Sequence, residues 1–489
     1  MIKSKALEII RKLKPDELED LRQFINSPYF NRKKRVEQLC EIILGNINRL
    51  NEPDITEEKL FSPLFGIEKY SYSSMRNLMS ELLRLCEIFL IVNRMNKSSY
   101  SDNISNKILL NEFNTRFLDK QFELKLKKIR DGFASKKIDS EYFDMMGKLE
   151  SENIAYHLYR SSMHEVPDLL LKRAEYNLIY ILQILEFDMM DFAVNKAAFN
   201  LDFSEEHVLS LMKTIDIDRM LEVVGKAGSK YKDETEIRLR LIKLCDENED
   251  DKNYHSLKEL VLGRIDLYTN AERSNMFTKL KNYCAFRIYM GNAEFYDEKF
   301  ALSKTELETV KYNADGVGPL FANFYLEIIQ KAILVKDLDF AEYVIENFTR
   351  ELEPSKQKSV SSMAKAFISF EKKEFEKTLE HLSKVNTMGL FLKINSKLLY
   401  MKAYYELNAM ETGMSSVESF RHFIDESKEL TKSRKENLKR NYEIIRRLYK
   451  LKQNRLKSHN YEIDELRKMV ELSDIYYADW YLEKIDELS

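Results

Sequence analysis

Lys336-Asp337-Leu338-Asp339-Phe340-Ala341 is answered thirty-seven residues later by Lys373-Glu374-Phe375-Glu376-Lys377-Thr378. The register persists beyond this turn. Ile345 and Phe348 fall opposite Leu382 and Val385, and Ala366, Phe367 and Phe370 fall thirty-seven residues before Ala403, Tyr404 and Leu407. A period of this length predicts one supersecondary unit repeated in space, each leaving an apolar face for its neighbour to bury. In the third unit, METGM at 410–414 reads as a short insertion ahead of SSVESFRHFI. Turn residues are scarce as well. Only 12 Gly and 7 Pro occur among 489 residues, too few for a sheet's tight turns or for phosphate-binding loops. An all-α fold of long helices with short connections is expected.

The stretch AFISFEKKEFEKTLEHLSKV, residues 366–385, has the end of one helix, a charged turn, an aromatic residue and then a small residue three positions later. In this it resembles the tetratricopeptide-type helical hairpin, where the small residue lets two helices approach closely. The resemblance covers 321–425 and lacks that family's Trp and Gly-Tyr positions. It implies an α-solenoid of stacked helical hairpins. The whole chain also resembles a family of uncharacterised bacterial helical-repeat proteins with an N-terminal SPYFN and a Trp-Leu-Glu-Lys-type ending. The matching residues are Ser27–Asn31, and Trp480 with Leu482, Glu483 and Lys484. No activity carries over from that resemblance.

Three regions are expected. Residues 1–95, with four of the seven prolines, form an N-terminal helical module. Residues 96–310 form an irregular series of helical hairpins, with breaks at Asn195-Lys196, Gly225–Gly228 and Asp246–Asn253. Residues 311–489 form the solenoid and its capping helices, entered through KYNADGVGPL at 311–320. Within the first module, Pro28 excludes Ser27 from the helical region, so a helix must stop near Ile25. Asn31 then caps the next helix, marked by the stripe Val36, Leu39, Cys40 and Ile43. Ser62-Pro63-Leu64-Phe65-Gly66 repeats the corner thirty-five residues on, so Ser-Pro-apolar-Phe reads as a hairpin turn whose Phe docks on the core.

No known catalytic, metal or cofactor motif survives inspection. VGKAGSKY at 224–231 has the wrong order for a phosphate loop and no preceding strand. DENEDDKN at 246–253 lacks the sixth-position glycine of a calcium loop and places Leu257 where its closing Glu belongs. Cys40, Cys86, Cys245 and Cys284 lie far apart, as reduced structural thiols do. There is no signal-peptide run and no apolar stretch of membrane-spanning length, so a cytoplasmic location is expected. No cofactor is expected, and an enzyme is not.

Two features point to partners. Between Lys428 and Lys457 there are 12 Lys or Arg against 3 Glu, a local +9 in a chain whose net charge is −3. Helical spacing buries Leu438, Tyr442, Ile445, Tyr449 and Leu456. It gathers Lys439, Arg440, Arg446, Arg447, Lys450 and Lys457 opposite them. That face is either solvated or a docking surface for an acidic protein, RNA or anionic lipid. In the C-terminal YYADWYLEKIDELS, Ile475, Ala478, Leu482, Ile485 and Leu488 form a stripe, with Tyr476 and Trp480 off it. The segment reads as a capping helix, or else as an aromatic interaction anchor. Residues 56–85 resemble helix-turn-helix segments that precede helical repeats in some bacterial regulators. There the recognition helix would span Ser73–Leu85 and offer only Arg76 and Arg84 to DNA. The expected function is a non-enzymatic protein-binding scaffold that holds a partner in a solenoid groove. The alternative is a nucleic-acid-binding regulator using the basic helix or residues 56–85.

Overall fold

The computed structural model describes residues 4–488 except 48–55, 57, 59–60, 66–69, 98, 135, 200–206, 213, 246–250, 387–388, 431, 454–459 and 473–476. Among the described residues there are twenty-three α-helices and no strand. None of those helices is long and apolar enough to cross a membrane. The chain forms two compact units, 1–136 with 141–181, and 137–140 with 182–489. The expected boundaries at 95/96 and 310/311 fall inside the first and second unit respectively.

The first unit holds α1 (Lys5–Ile10), α2 (Pro15–Asn26), α3 (Lys34–Gly45), α4 (Tyr72–Lys97), α5 (Ser99–Thr115), α6 (Asp119–Ala134), α7 (Tyr142–Tyr159) and the start of α8 (Val166–Phe199). Helix α2 begins with Pro15 in its first turn, and the Glu17 carboxylate accepts the Lys14 backbone N–H at 3.0 Å. It buries Leu21, Phe24 and Ile25, while α3 buries Val36, Leu39, Cys40 and Ile43.

Between these helices lies the Ser-Pro corner. Ser27 is extended, and Phe30 stacks on Phe24 with ring centroids 4.1 Å apart. The corner departs from expectation at Asn31, because Lys33 occupies the N-cap of α3. Asn31 is buried instead, donating to the Ile25 carbonyl at 3.1 Å and accepting from the Lys33 N–H at 2.9 Å. It ties the end of one helix to the approach of the next. In the second corner Leu64 and Phe65 are buried, and Gly66 lies outside the described residues. Ser73–Leu85 belongs to the single helix α4, which buries Leu82 and Leu85 and keeps Arg76 and Arg84 exposed. Residues 57, 59 and 60 of the first helix of that helix-turn-helix, 57–65, and its turn at Gly66 lie outside the described residues.

The second unit continues from α8 through α9 (His207–Met212), α10 (Ile217–Gly225), α11 (Lys232–Lys243) and α12 (Asp251–Arg264). Asn195-Lys196, expected as a break, lies within α8, whereas Gly225–Gly228 does separate α10 from α11. Residues 246–250 of DENEDDKN are outside the described residues, and Asp251 opens α12. Residues 137–140 join this unit through Ile138, whose N–H and C=O bond to Leu267 and Thr269 at 2.8 and 2.9 Å.

Four helix pairs follow: α13 (Asn270–Tyr289) with α14 (Phe295–Thr309), α15 (Ala322–Leu334) with α16 (Leu338–Phe348), α17 (Gln357–Glu371) with α18 (Phe375–Ser383), and α19 (Leu390–Glu406) with α20 (Met410–Glu426). Helix α15 also packs on α17, and α17 on α19. The unit ends with α21 (Lys432–Gln453), α22 (Asn460–Glu471) and α23 (Ala478–Asp486).

One backbone device closes all four pairs. Gly291, Lys336, Lys373 and Asn408 have φ of +95°, +62°, +58° and +58°. In each case the following N–H bonds back to the carbonyl five residues earlier: Asn292 to Arg287, Asp337 to Ala332, Glu374 to Ser369 and Ala409 to Tyr404, at 2.9–3.0 Å. This is the left-handed helix stop that satisfies orphan carbonyls. Phe117 and Ser161 end α5 and α7 in the first unit the same way.

The turns define the true register of the third unit. From Lys373 to Asn408 is thirty-five residues, so this unit is two residues shorter than its predecessor. METGM is therefore no insertion; it is the first turn of α20. Five residues after each of the last three turns stands a buried small residue, Ala341, Thr378 and Gly413. A Cβ on Gly413 would overlap the Tyr449 ring, so close approach there requires glycine.

Candidate functional site: an aromatic-walled cleft

A cleft of about 870 Å³ opens in the second unit, a size typical of ligand sites. Its walls come from α14, α15, α17 and α19, and from the segment 477–483. The turn register explains the arrangement. Counting six residues back from Lys336, Lys373 and Asn408 gives Gln330, Phe367 and Lys402, and all three line the cleft. Three successive helices thus present the same helical position to one space.

Most of the cleft's cations are paired. Lys299 meets Glu327 at 3.2 Å, Lys331 meets Asp297 at 2.9 Å, and Lys336 pairs with Glu371. Glu406 and Glu483 are held by Lys484 at 3.0 and 3.1 Å, and Lys373 lies 3.9 Å from Glu483. Lys402 differs. It is 3% exposed and has no ion pair among the described residues. Its Nζ lies 3.7 Å from the ring centroid of Tyr477, 4.3 Å from Phe370 and 5.1 Å from Trp480.

Burial pushes the Lys402 amine down to about 7, while the nearby Glu371, Glu406 and Glu483 charges pull it up. The ring faces, whose quadrupoles attract cations, also favour the ammonium. The cage is held from outside. Tyr477, left-handed at φ +65°, donates its hydroxyl to Asn395 Oδ1 at 3.3 Å and accepts from Gln330 Nε2 at 3.4 Å. Trp480 Nε1 donates to Glu406 at 2.7 Å, and its ring meets Tyr405 edge-on at 5.5 Å.

The partner-binding candidates read from sequence are distributed differently. Trp480 is buried and lines the cleft, whereas Tyr476 lies outside the described residues. The buried face of α23 comprises Trp480, Tyr481, Lys484 and Ile485, a face turned from the predicted stripe; Leu482 and Leu488 are half-buried. On α21, Leu438, Tyr442, Ile445 and Tyr449 are buried as the spacing predicts. Lys439 faces Asp425 at 3.3 Å, Arg447 faces Glu465 at 3.2 Å, and Arg446 lies 3.8 Å from Glu418 and 3.9 Å from Glu443. Arg440 and Lys450 are exposed with no ion pair among the described residues, and Lys457 lies outside them. None of the described basic residues lines the cleft.

Lys402 escaped sequence reading because the thirty-seven-residue register placed Ala403, not Lys402, opposite Ala366. With the thirty-five-residue spacing, a lysine appears where the preceding units carry Phe367 and Gln330, and that substitution is a usable signal. Comparison of this chain with protein-family models, with curated proteins and with solved structures finds no match.

Proposed function

We propose that this protein is a binding scaffold, an α-solenoid of stacked helical hairpins whose cleft receives an extended segment of a partner protein. The observation that carries this reading is the repeated presentation of Gln330, Phe367 and Lys402 to one open space by three successive helices. Stacked hairpins generate such a concave surface as a by-product of burying their neighbours' apolar faces. Phe324, Ile333, Leu334 and Phe370 supply apolar contact area, and the lysine–glutamate pairs along the rim supply polar partners for a peptide backbone. Leu334 lines the cleft and is 58% exposed.

The test is selection of peptides from a displayed random library, with binding read by the fluorescence of Trp480, the single tryptophan. Leu334→Arg changes an exposed side chain, so the fold is retained. We expect selected peptides to lose at least tenfold in affinity for it. Peptides that bind the variant as well as the parent, or a library that yields none, would overturn the reading. Binding that falls steeply with salt and is lost in a Lys439, Arg440, Arg446 and Arg447 to Glu variant would move the function to the basic face of α21.

A further inference from the structure

We propose that Lys402 is a covalent carbonyl-binding site: its amine condenses with an aldehyde carrying a flat apolar body that lodges in the cleft. The case rests first on how the charges of the cleft corner are paired. Glu371, Glu406 and Glu483 are the carboxylates whose charge acts on this amine, and each lies within ion-pair distance of another lysine: Glu371 of Lys336, Glu406 of Lys484, and Glu483 of Lys484 and Lys373. Among the described residues Lys402 is a buried cation with no carboxylate within ion-pair distance, the circumstance that favours loss of the proton. Burial accordingly brings the amine to about 7, so protonated and free amine coexist near neutrality. Desolvated lysines of this kind are the ones that act as nucleophiles.

The second support is the cage. Phe370, Tyr477 and Trp480 surround Nζ and also line the cleft, so a planar apolar group reaching the amine meets ring faces. The lone pair of Nζ attacks the carbonyl carbon, forming the C–N bond, and a proton passes from nitrogen to oxygen to give a carbinolamine. The C–O bond then breaks and water leaves. The product is R–CH=N–Lys402, and one water is released for each aldehyde bound. When that nitrogen is protonated, the iminium places its positive charge where the ammonium had been, against the same three rings. The cage therefore favours the covalent product as well as the free cation. No oxidant or reductant enters the condensation.

The other cleft lysines make internal controls. Lys299, Lys331, Lys336 and Lys373 line the same space, but each is within ion-pair distance of a carboxylate. The full chain would be treated with benzaldehyde and sodium cyanoborohydride, which reduces the imine to a stable benzylamine, and the lysines mapped by mass spectrometry. We expect Lys402 to be modified at least tenfold faster than Lys336 or Lys373 at pH 7. Its rate should rise with a midpoint near 7. Lys402→Arg keeps the charge and should remove the fast site. Lys402→Met, of similar length and without charge, shows by retained hydrogen-exchange protection of the cleft helices that the cleft remains folded. Modification of Lys402 no faster than of the exposed lysines, or with a midpoint near 10, would overturn the proposal. Neither readout needs a protein partner, so this result and the peptide result stand or fall separately.

Discussion

Arg238 in α11 and Lys402 in α19 are both almost wholly buried, at 1% and 3% exposure, and their surroundings differ at every contact. Arg238 is saturated by carboxylates. Its Nε and Nη2 reach Glu234 at 2.8 and 2.7 Å, Nη1 reaches Glu186 at 3.1 Å, and Nη2 reaches Glu272 at 3.1 Å. Lys279 adds a bond to Glu186 at 2.8 Å, and the Tyr268 hydroxyl donates to Glu234 at 2.6 Å. Among the described residues, the side chains at close range to the Lys402 amine are ring faces. A fork of five fixed donors suits the first environment, and a compact ammonium that can shed its proton suits the second. Full pairing locks α8, α11 and α13 together and leaves nothing for a ligand. Incomplete pairing beside an open cleft leaves a group whose charge state a ligand can change.

The contrast breaks most visibly at Arg238. Arg238→Met would leave Glu186, Glu234 and Glu272 buried with only Lys279 for charge, at a cost of about 3–5 kcal/mol. Hydrogen exchange of the α11 amides would report it. The loss should be smallest in acid. In the variant the carboxylates take up protons more readily when folded than when unfolded, so stability falls as pH rises through their folded range. In the parent, Arg238 and Lys279 hold the Glu272 carboxyl below its ordinary range against the cost of burial. Its contribution is therefore present above the unfolded pKa and lost as pH falls through the folded one.

Lys402 should shift stability in the same direction but over a higher range of pH. Its folded amine releases a proton near 7 and its unfolded amine near 10.5, so between those values the unfolded chain binds more protons. Stability then rises with pH. Relative to Lys402→Met, the parent should gain on the order of 3 kcal/mol from pH 6 to pH 9. Paired melts of the two proteins across that range would measure it, and a flat difference would remove the distinction between the two cations.

These two sites also mark where sequence reading stops. Helix and period were legible because they are local: charge-punctuated apolar stripes, scarce glycine, and a turn repeated at Lys336 and Lys373. The Asn408 turn was missed because two residues are absent from its unit, and the left-handed stops at Phe117 and Ser161 were missed because neither is glycine. The basic face of α21 was visible as composition, but apart from Glu443 its carboxylate partners come from α20 and α22. Neither buried cation was singled out from the sequence, and neither set of partners is wholly local to it. Arg238 is completed by residues 186, 234 and 272, and Lys402 by 370, 477 and 480. Such groupings exist only after the helices have packed.

A smaller effect separates hydrogen bonding from charge at the first site. Tyr268→Phe removes the hydroxyl that donates to Glu234 and keeps the ring, which is fully buried. Arg238 still neutralises that carboxylate, so the expected cost is about 2 kcal/mol, that of one hydrogen bond to a charged group. Exchange of the α13 amides should show it. A cost as large as that of Arg238→Met would mean that the hydroxyl, not the guanidinium, organises the cluster.

The smallest effect divides the two tasks of Trp480. Trp480→Phe loses the 2.7 Å bond from Nε1 to Glu406 but keeps an aromatic face beside Lys402, and Lys484 continues to hold that carboxylate. The expected loss is about 1 kcal/mol, with little change in the pH at which Lys402 reacts with an aldehyde. Trp480→Leu loses the same hydrogen bond and the ring as well. With one fewer π face to stabilise the ammonium, its amine should release the proton at lower pH than in the Phe variant. The two variants should therefore match in melting temperature to within a few degrees yet differ in the reaction midpoint. Equal midpoints would mean that desolvation alone governs Lys402, and the contrast with Arg238 would then reduce to the presence or absence of carboxylates.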